Sequence, residues 1–174
     1  MRSALLLSGG MDSLSIARWK RPEIGITIDY GQLAAQAELT ASQLICRRLG
    51  IGQHVVRINC RSLGSGDMAG ADADCHAPAS DWWPYRNQIL ITFAAARSLS
   101  LGVGRLMIGT VKSDSTHRDG TSDFVDAMNA LVALQEGGIR VEAPAIHLGT
   151  VELVREAGVP RELLAWAHSC HKAN

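Results

Sequence analysis

Apolar positions along the chain recur in two patterns, short continuous runs and helical spacings, and the two take turns. Residues 3–8 (SALLLS) form a continuous apolar run that predicts a buried strand. A Gly-Gly turn follows, and then a helical spacing from about Asp12 to Lys20. Residues 24–29 (IGITID) are rich in β-branched side chains and predict a second strand. From Leu33 the positions Ala37, Ala41, Leu44, Ile45 and Leu49 predict a helix that stops at Gly50. His54–Ile58 is the third strand, and residues 60–84 carry no period and predict a long loop, functional or mobile. A helix over 86–101, a strand at Leu106–Thr110, a polar segment from Lys112 to Ser122 and a helix to about Glu136 come next. The pattern closes with an extended piece around Val141 and Pro144. Thr150 then stands as the N-cap of a helix that reaches Glu156 and ends at Gly158 and Pro160.

Strand alternating with helix predicts an α/β fold of Rossmann type, a parallel sheet with helices on both faces. No repeat, low-complexity tract or charge block offers a linker, and 174 residues suit a single domain over 1–174. Sheets of this kind bind ligands at the carboxyl ends of their strands. The polar clusters Ser8–Ser13, Asp29–Gln32 and Thr110–Asp123 fall after strands one, two and four, so they are expected to converge on one pocket.

Composition adds exclusions. With 17 basic and 17 acidic residues the formal charge is zero, which removes the electrostatic case for a nucleic-acid or anionic-membrane binder, though not for a local basic pocket. No apolar run approaches the roughly 18 residues of a membrane span, and the apolar stretch before Ser8 is too short for a signal peptide. A cytoplasmic protein is expected. The four cysteines, Cys46, Cys60, Cys75 and Cys170, form no CxxC pair, and the first three are expected to be free thiols.

Ser8-Gly9-Gly10-Met11-Asp12-Ser13 carries the most chemistry. Placed between a buried strand and a helix, its glycines let the backbone approach an anion, and successive amides with the helix N-terminus supply positive charge. The plainer alternative is a tight turn capped by Asp12 or Ser13. Neither a Walker A pattern nor a GxGxxG dinucleotide motif is present.

This segment resembles the SGGxDS pyrophosphate loop of the N-type ATP pyrophosphatases. Further segments resemble, in order, those of the 7-cyano-7-deazaguanine synthases. Ile28–Gln32 (IDYGQ) is similar to their FDYGQ, and Pro84–Asn87 (PYRN) to their VPxRN. Ile108-Gly109 with Asp114 is similar to IGxxxxD, and Asp119 with Asp123-Phe124 to DCRPEF. Ala143-Pro144 is similar to APL, and Gly158–Pro160 with Ser169-Cys170 to the GVP…SC tail.

The resemblance implies an ATP-dependent carbon–nitrogen ligase. A 7-carboxy-7-deazaguanine is adenylated with release of pyrophosphate, ammonia forms the amide, and a second adenylation gives the nitrile. It implies ATP with Mg²⁺, and a zinc held by four cysteines, of which only Cys170 is present; a closed zinc site is not expected from His168, Cys170 and His171 alone. Ser8, Gly9, Gly10 and Ser13 would hold phosphates. Asp12 would orient magnesium or cap its helix, and Arg86 would serve as a phosphate or carboxylate fork or stay solvated. Asn87 offers a base-edge contact or a cap. Asp114, Asp119 and Asp123 are candidates for the substrate, with a metal or a surface turn as alternatives for the first two. Lys112 would neutralise the α phosphate or remain solvated. Asp29, Tyr30, Gln32 and Gly109 would line the nucleotide site or serve the fold. The tryptophans Trp82 and Trp83 would stack on a base, fill a lid or pack in the core.

Departures bear on the acceptor. Gly120-Thr121-Ser122 lacks the Arg and Pro of the family segment, and Leu148–Leu153 lacks a lysine usual there. This leaves open a variant that conjugates the activated deazapurine to a protein amine, a role suited to antiviral defence. It also leaves open a tRNA-thiolating or other relative in the same superfamily, and a non-catalytic nucleotide- or deazapurine-binding module. Partners are then the small-molecule substrate and ammonia or a protein amine, with room for a partner protein or a homodimer and no direct nucleic-acid binding expected.

Overall fold

The computed structural model describes residues 1–168. Five strands, β1 (Arg2–Leu6), β2 (Ile24–Asp29), β3 (Gly52–Arg57), β4 (Val103–Met107) and β5 (Arg140–Glu142), form one parallel sheet in the order β3-β2-β1-β4-β5. The helices are α1 (Met11–Lys20), α2 (Ala35–Leu49), the single turn α3 (Gly66–Ala69), α4 (Arg86–Ser100), α5 (Ser122–Ala133), α6 (Thr150–Glu156) and the single turn α7 (Arg161–Leu164).

Period two sorts the strand side chains between two cores. Ala4, Ile24, Ile26 and Ile28 point to one face, where Ile91 and Ala94 of α4 and Val125 and Met128 of α5 cover them. Leu5 and Leu7 point to the other, against Leu14 and Ile16 of α1, Ile45 of α2, Leu153 of α6 and Leu163 of α7. On that second face β2 presents Gly25 and the buried Thr27, and a Cβ at Gly25 would stand 3.0 Å from both the Cys46 sulfur and Leu7 Cδ2. Helix α2 therefore lies close on the sheet. It ends as expected: Gly50 takes the left-handed conformation and returns its N–H to the Cys46 carbonyl.

Three expectations need correction. The fourth strand begins and ends three residues earlier than Leu106–Thr110, because pairing with β1 starts at Arg2 and Val103. Arg105 had spoiled the apolar run; its guanidinium reaches Glu142 across the β4–β5 edge at 3.5 Å. Thr110 instead belongs to the loop beyond. The 60–84 segment is not structureless, since it holds a 3-10 turn at Arg61–Leu63 and the turn α3. Trp83, 1% exposed, anchors it in the core, edge-on to Tyr30 at 5.0 Å. Finally, Gly149 is the N-cap of α6 and Thr150 its first helical residue; the Glu152 carboxylate accepts the Gly149 N–H at 2.8 Å.

Candidate functional site

The chain leaves β1 toward β2 and β3 on one side, then returns to β4 on the other, so the strand order reverses between β1 and β4. Ligands of open parallel sheets bind in the crevice beyond the strand ends at that reversal. Here the crevice is a cavity of about 570 Å³, within the range of small-molecule sites.

The Ser8–Ser13 loop forms its floor. Gly9 has φ +85°, and a Cβ there would lie 2.7 Å from Ala41 Cβ and 3.0 Å from the Glu38 carbonyl, so only glycine lets the loop rest on α2. Ser8 Oγ lies 3.3 Å from Ser13 Oγ, and Ser13 donates to the Gly10 carbonyl at 3.0 Å. Gly10, the N-cap of α1, has no side chain to spend on the helix's first amides. From outside, the His168 N–H donates to the Gly9 carbonyl at 2.8 Å. Gly109 stands over the start of α1, where a Cβ would be 3.5 Å from Ser13 Cβ.

Asp12 begins the helix, with Oδ1 buried and without a hydrogen-bond partner. Burial pushes its carboxyl above the usual range; a hydrogen bond with Thr150 opposes this, and the charge of Asp114 adds to it. An oxygen so placed, between a second carboxylate and the glycine-rich turn, has the chemistry of a divalent-cation ligand.

Arg86 opens α4 and is the one lysine or arginine among the described residues lining the cavity. Its Nη1 donates to the Met68 sulfur at 3.1 Å, and its field reaches Tyr30 and Glu38. Asn87 also lines the cavity. Its backbone N–H donates to Asp119 Oδ2 at 3.1 Å and its side-chain amide to the Asp119 carbonyl at 2.8 Å, which clasps α4 to the segment after β4. Asp114 accepts the Val111 N–H at 3.0 Å and also borders the cavity.

The structure thus brings Ser8, Gly10, Asp12, Ser13, Tyr30, Arg86, Asn87, Gly109, Asp114 and Asp119 around one space, with Gly9 packed beneath. Four other candidates stay off the cavity wall. Asp29 caps its own turn by accepting the Gly31 N–H, and buried Gln32 braces the same turn by accepting the Tyr30 N–H. Lys112 is exposed, its backbone N–H held by the Leu148 carbonyl, and Asp123 is exposed in the first turn of α5. The zinc candidate Cys170 lies outside the described residues. Trp83 took the core position among its alternatives, leaving its indole N–H buried and unpartnered.

Glu38, His117 and His168 border the cavity without having been anticipated. Glu38 had a legible signal: on α2 it falls in line with buried Ala34, Ala41 and Ile45, a carboxylate within an apolar stripe. Burial pushes its carboxyl up to about 7, against a hydrogen bond from Gln32 and the charge of Arg86. His117 is placed by the return of the 112–120 segment, with Nε2 3.7 Å from Asp81 Oδ1, and nothing local marks it.

Comparison with known proteins adds a family and relatives. The family model described as queuosine biosynthesis protein QueC matches residues 2–174. The 7-cyano-7-deazaguanine synthase of Chlorobium phaeobacteroides (strain DSM 266) is 33% identical over 99% of this chain and 84% of its own. That of Chlorobium chlorochromatii is 32% identical over 99% and 83%. That of Methanosarcina mazei is 28% identical over 98% and 85%. Among solved structures, the U34-tRNA thiolase NcsA from Methanococcus maripaludis, with its [4Fe-4S] cluster, superposes with TM-score 0.60 at 18% identity. That match covers 97% of this chain and 58% of the thiolase, and it speaks to the fold.

Proposed function

The chain belongs to the queuosine biosynthesis protein QueC family, and from that membership we propose that it uses ATP to activate the carboxylate of a 7-deazaguanine for carbon–nitrogen bond formation. The observation that carries this reading is the Ser8–Ser13 loop, set at the strand-order reversal beneath a cavity whose described lining holds one arginine. A carboxylate oxygen of the substrate attacks the α phosphorus of ATP, the bond to the bridging α–β oxygen breaks, and pyrophosphate leaves. The helix N-terminus at the start of α1 and the hydroxyls of Ser8 and Ser13 would face the charge that grows on that leaving group. The resulting acyl adenylate meets ammonia, which expels AMP and yields the amide. A second adenylation, on the amide oxygen, and loss of AMP with a proton give the nitrile.

Arg86 lines the same cavity as the loop and would take the substrate carboxylate or the α phosphate through its fork. Asp12, with Asp114 behind it, would hold a magnesium ion, which when bound neutralises polyphosphate charge. The described lining is otherwise acidic, with Glu38, Asp81 and Asp119 besides these two, so a polyphosphate would enter together with its counter-cation. The zinc that the resemblance implies would fall to Cys170, which lies outside the described residues.

A second reading keeps adenylation and replaces ammonia by an amine of a protein. It draws on Gly120-Thr121-Ser122, which border the cavity segment without the arginine and proline of the similar synthases. One assay addresses both readings. ATP, magnesium, 7-carboxy-7-deazaguanine and ammonia are incubated with the protein, and nucleotide and deazapurine products are resolved by mass. AMP and pyrophosphate with amide or nitrile are the expected products. Adenylation that stalls without ammonia transfer favours the protein amine, and ADP with phosphate overturns both readings.

A further inference from the structure

Five carboxylates border the cavity, and four are already committed at the phosphate end or to the loops. Asp12 stands at the start of α1 with Thr150 and Asp114. Asp114 accepts the Val111 N–H and Asp119 the Asn87 N–H, each within its own turn or clasp. Asp81 faces His117. Glu38 differs in place and in partners. It rises from α2 beyond the carboxyl end of β2, beside Tyr30 and Arg86, where Ile28 and Met68 supply apolar walls. Its Oε2 accepts the Gln32 amide at 2.9 Å, and no other hydrogen bond to it is formed among the described residues.

We propose that the Glu38 carboxylate reads the amino-pyrimidinone edge of the deazapurine. That edge offers a ring N–H and an exocyclic amino N–H side by side, the donor pair that a carboxylate accepts with both oxygens. The assignment rests on the adenylation reading above and deepens it, because it says which purine-like edge the cavity selects. It moves edge recognition away from Asp114 and Asp119, each of which gives its Oδ2 to a backbone N–H. Two features support it. Gln32 holds the carboxylate from behind, and Gln32 is itself fixed through its carbonyl oxygen on the Tyr30 N–H, so the acceptor is pre-aimed. Burial also disfavours the ionised form, a penalty that a bound donor pair relieves. Adenine offers one amino donor next to a ring acceptor and matches a carboxylate less well.

Titration calorimetry on wild type and Glu38→Gln, with 7-carboxy-7-deazaguanine, its 2-desamino analogue and ATP, tests the assignment. Wild type should prefer the amino compound. Glu38→Gln should bind it about 10- to 100-fold more weakly, as expected for buried donors facing a half-mismatched amide. The variant should bind the desamino analogue within about threefold of wild type, and an unchanged ATP affinity would show an intact fold. Equal weakening of both deazapurines would overturn the assignment, as would loss of ATP affinity with the deazapurine unaffected, which would give the carboxylate to adenine. If wild type binds ATP but neither deazapurine, the reaction reading itself falls, a result visible before any variant is compared.

Discussion

Glu38 and Gly9 touch the same turn of α2 from opposite needs. Gly9 must lack a side chain so that the phosphate loop can rest on the Glu38 carbonyl, while the Glu38 side chain pays a desolvation penalty to face the cavity. The penalty has a pH signature. With a folded value of about 7 against 4.5 unfolded, the native state holds more protons between those values. Stability therefore falls as pH rises through that window, with no cost below about 4.5 and the full cost, at most about 3 kcal/mol, above about 7. Glu38→Gln should accordingly be more stable than wild type at pH 8 and nearly equal to it at pH 4.5. Thermal melts of both proteins across this range check it; a stability gap that does not change with pH would contradict the burial of this carboxyl.

At the scale of elements, the clasp between Asn87 and Asp119 sets where Arg86 points. Helix α4 has no capping side chain of its own, since its N-cap, Tyr85, is left-handed with φ 54°. Asp119, distant in sequence, supplies the missing acceptor for the first turn. Asp119→Ala should cost about 1–2 kcal/mol in denaturant unfolding, as loss of a cap does, and should loosen the arginine it positions. In a double-mutant cycle with Asn87→Ala the two changes should fall short of additive by about 0.5 kcal/mol or more. Strict additivity would mean that the two hydrogen bonds act independently rather than as one clasp. The neighbouring α5 keeps a local cap instead, Thr121 accepting the Phe124 N–H.

Across the whole molecule, the cavity joins the β1 loop and α1 to elements that follow β4, with α2 and α4 as side walls. A nucleotide seated there would tie both halves of the sheet together. Magnesium-ATP at 100 times its dissociation constant should therefore raise the melting temperature by roughly 5–11 °C, the linkage value for a domain of this size. Differential scanning with and without the nucleotide measures this. An unmoved transition would mean that the native protein does not bind the nucleotide.

How far the sequence alone reaches depends on the range of the interaction. Strands β2 and β5, helices α1, α2 and α6 and the turn at Ser8–Ser13 were legible because apolar period, glycine stops and strand–turn–helix order are local properties. The family resemblance was legible because its segments keep their order along the chain. The arrangement of chemistry within the cavity was not. Strand β4 is defined by its pairing with β1, so Arg105 hid its start, and Trp83 took its place only once the 60–84 segment folded over Tyr30. Gln32, Asp29, Lys112 and Asp123 have the right chemistry for a site, yet the turns that carry them spend or turn away their side chains. His117 and His168 reached the cavity through packing alone, and only its place in an apolar stripe marked Glu38. Whether a polar side chain meets a ligand or a backbone amide is decided by which distant segment completes its hydrogen bonds, and that only tertiary structure supplies.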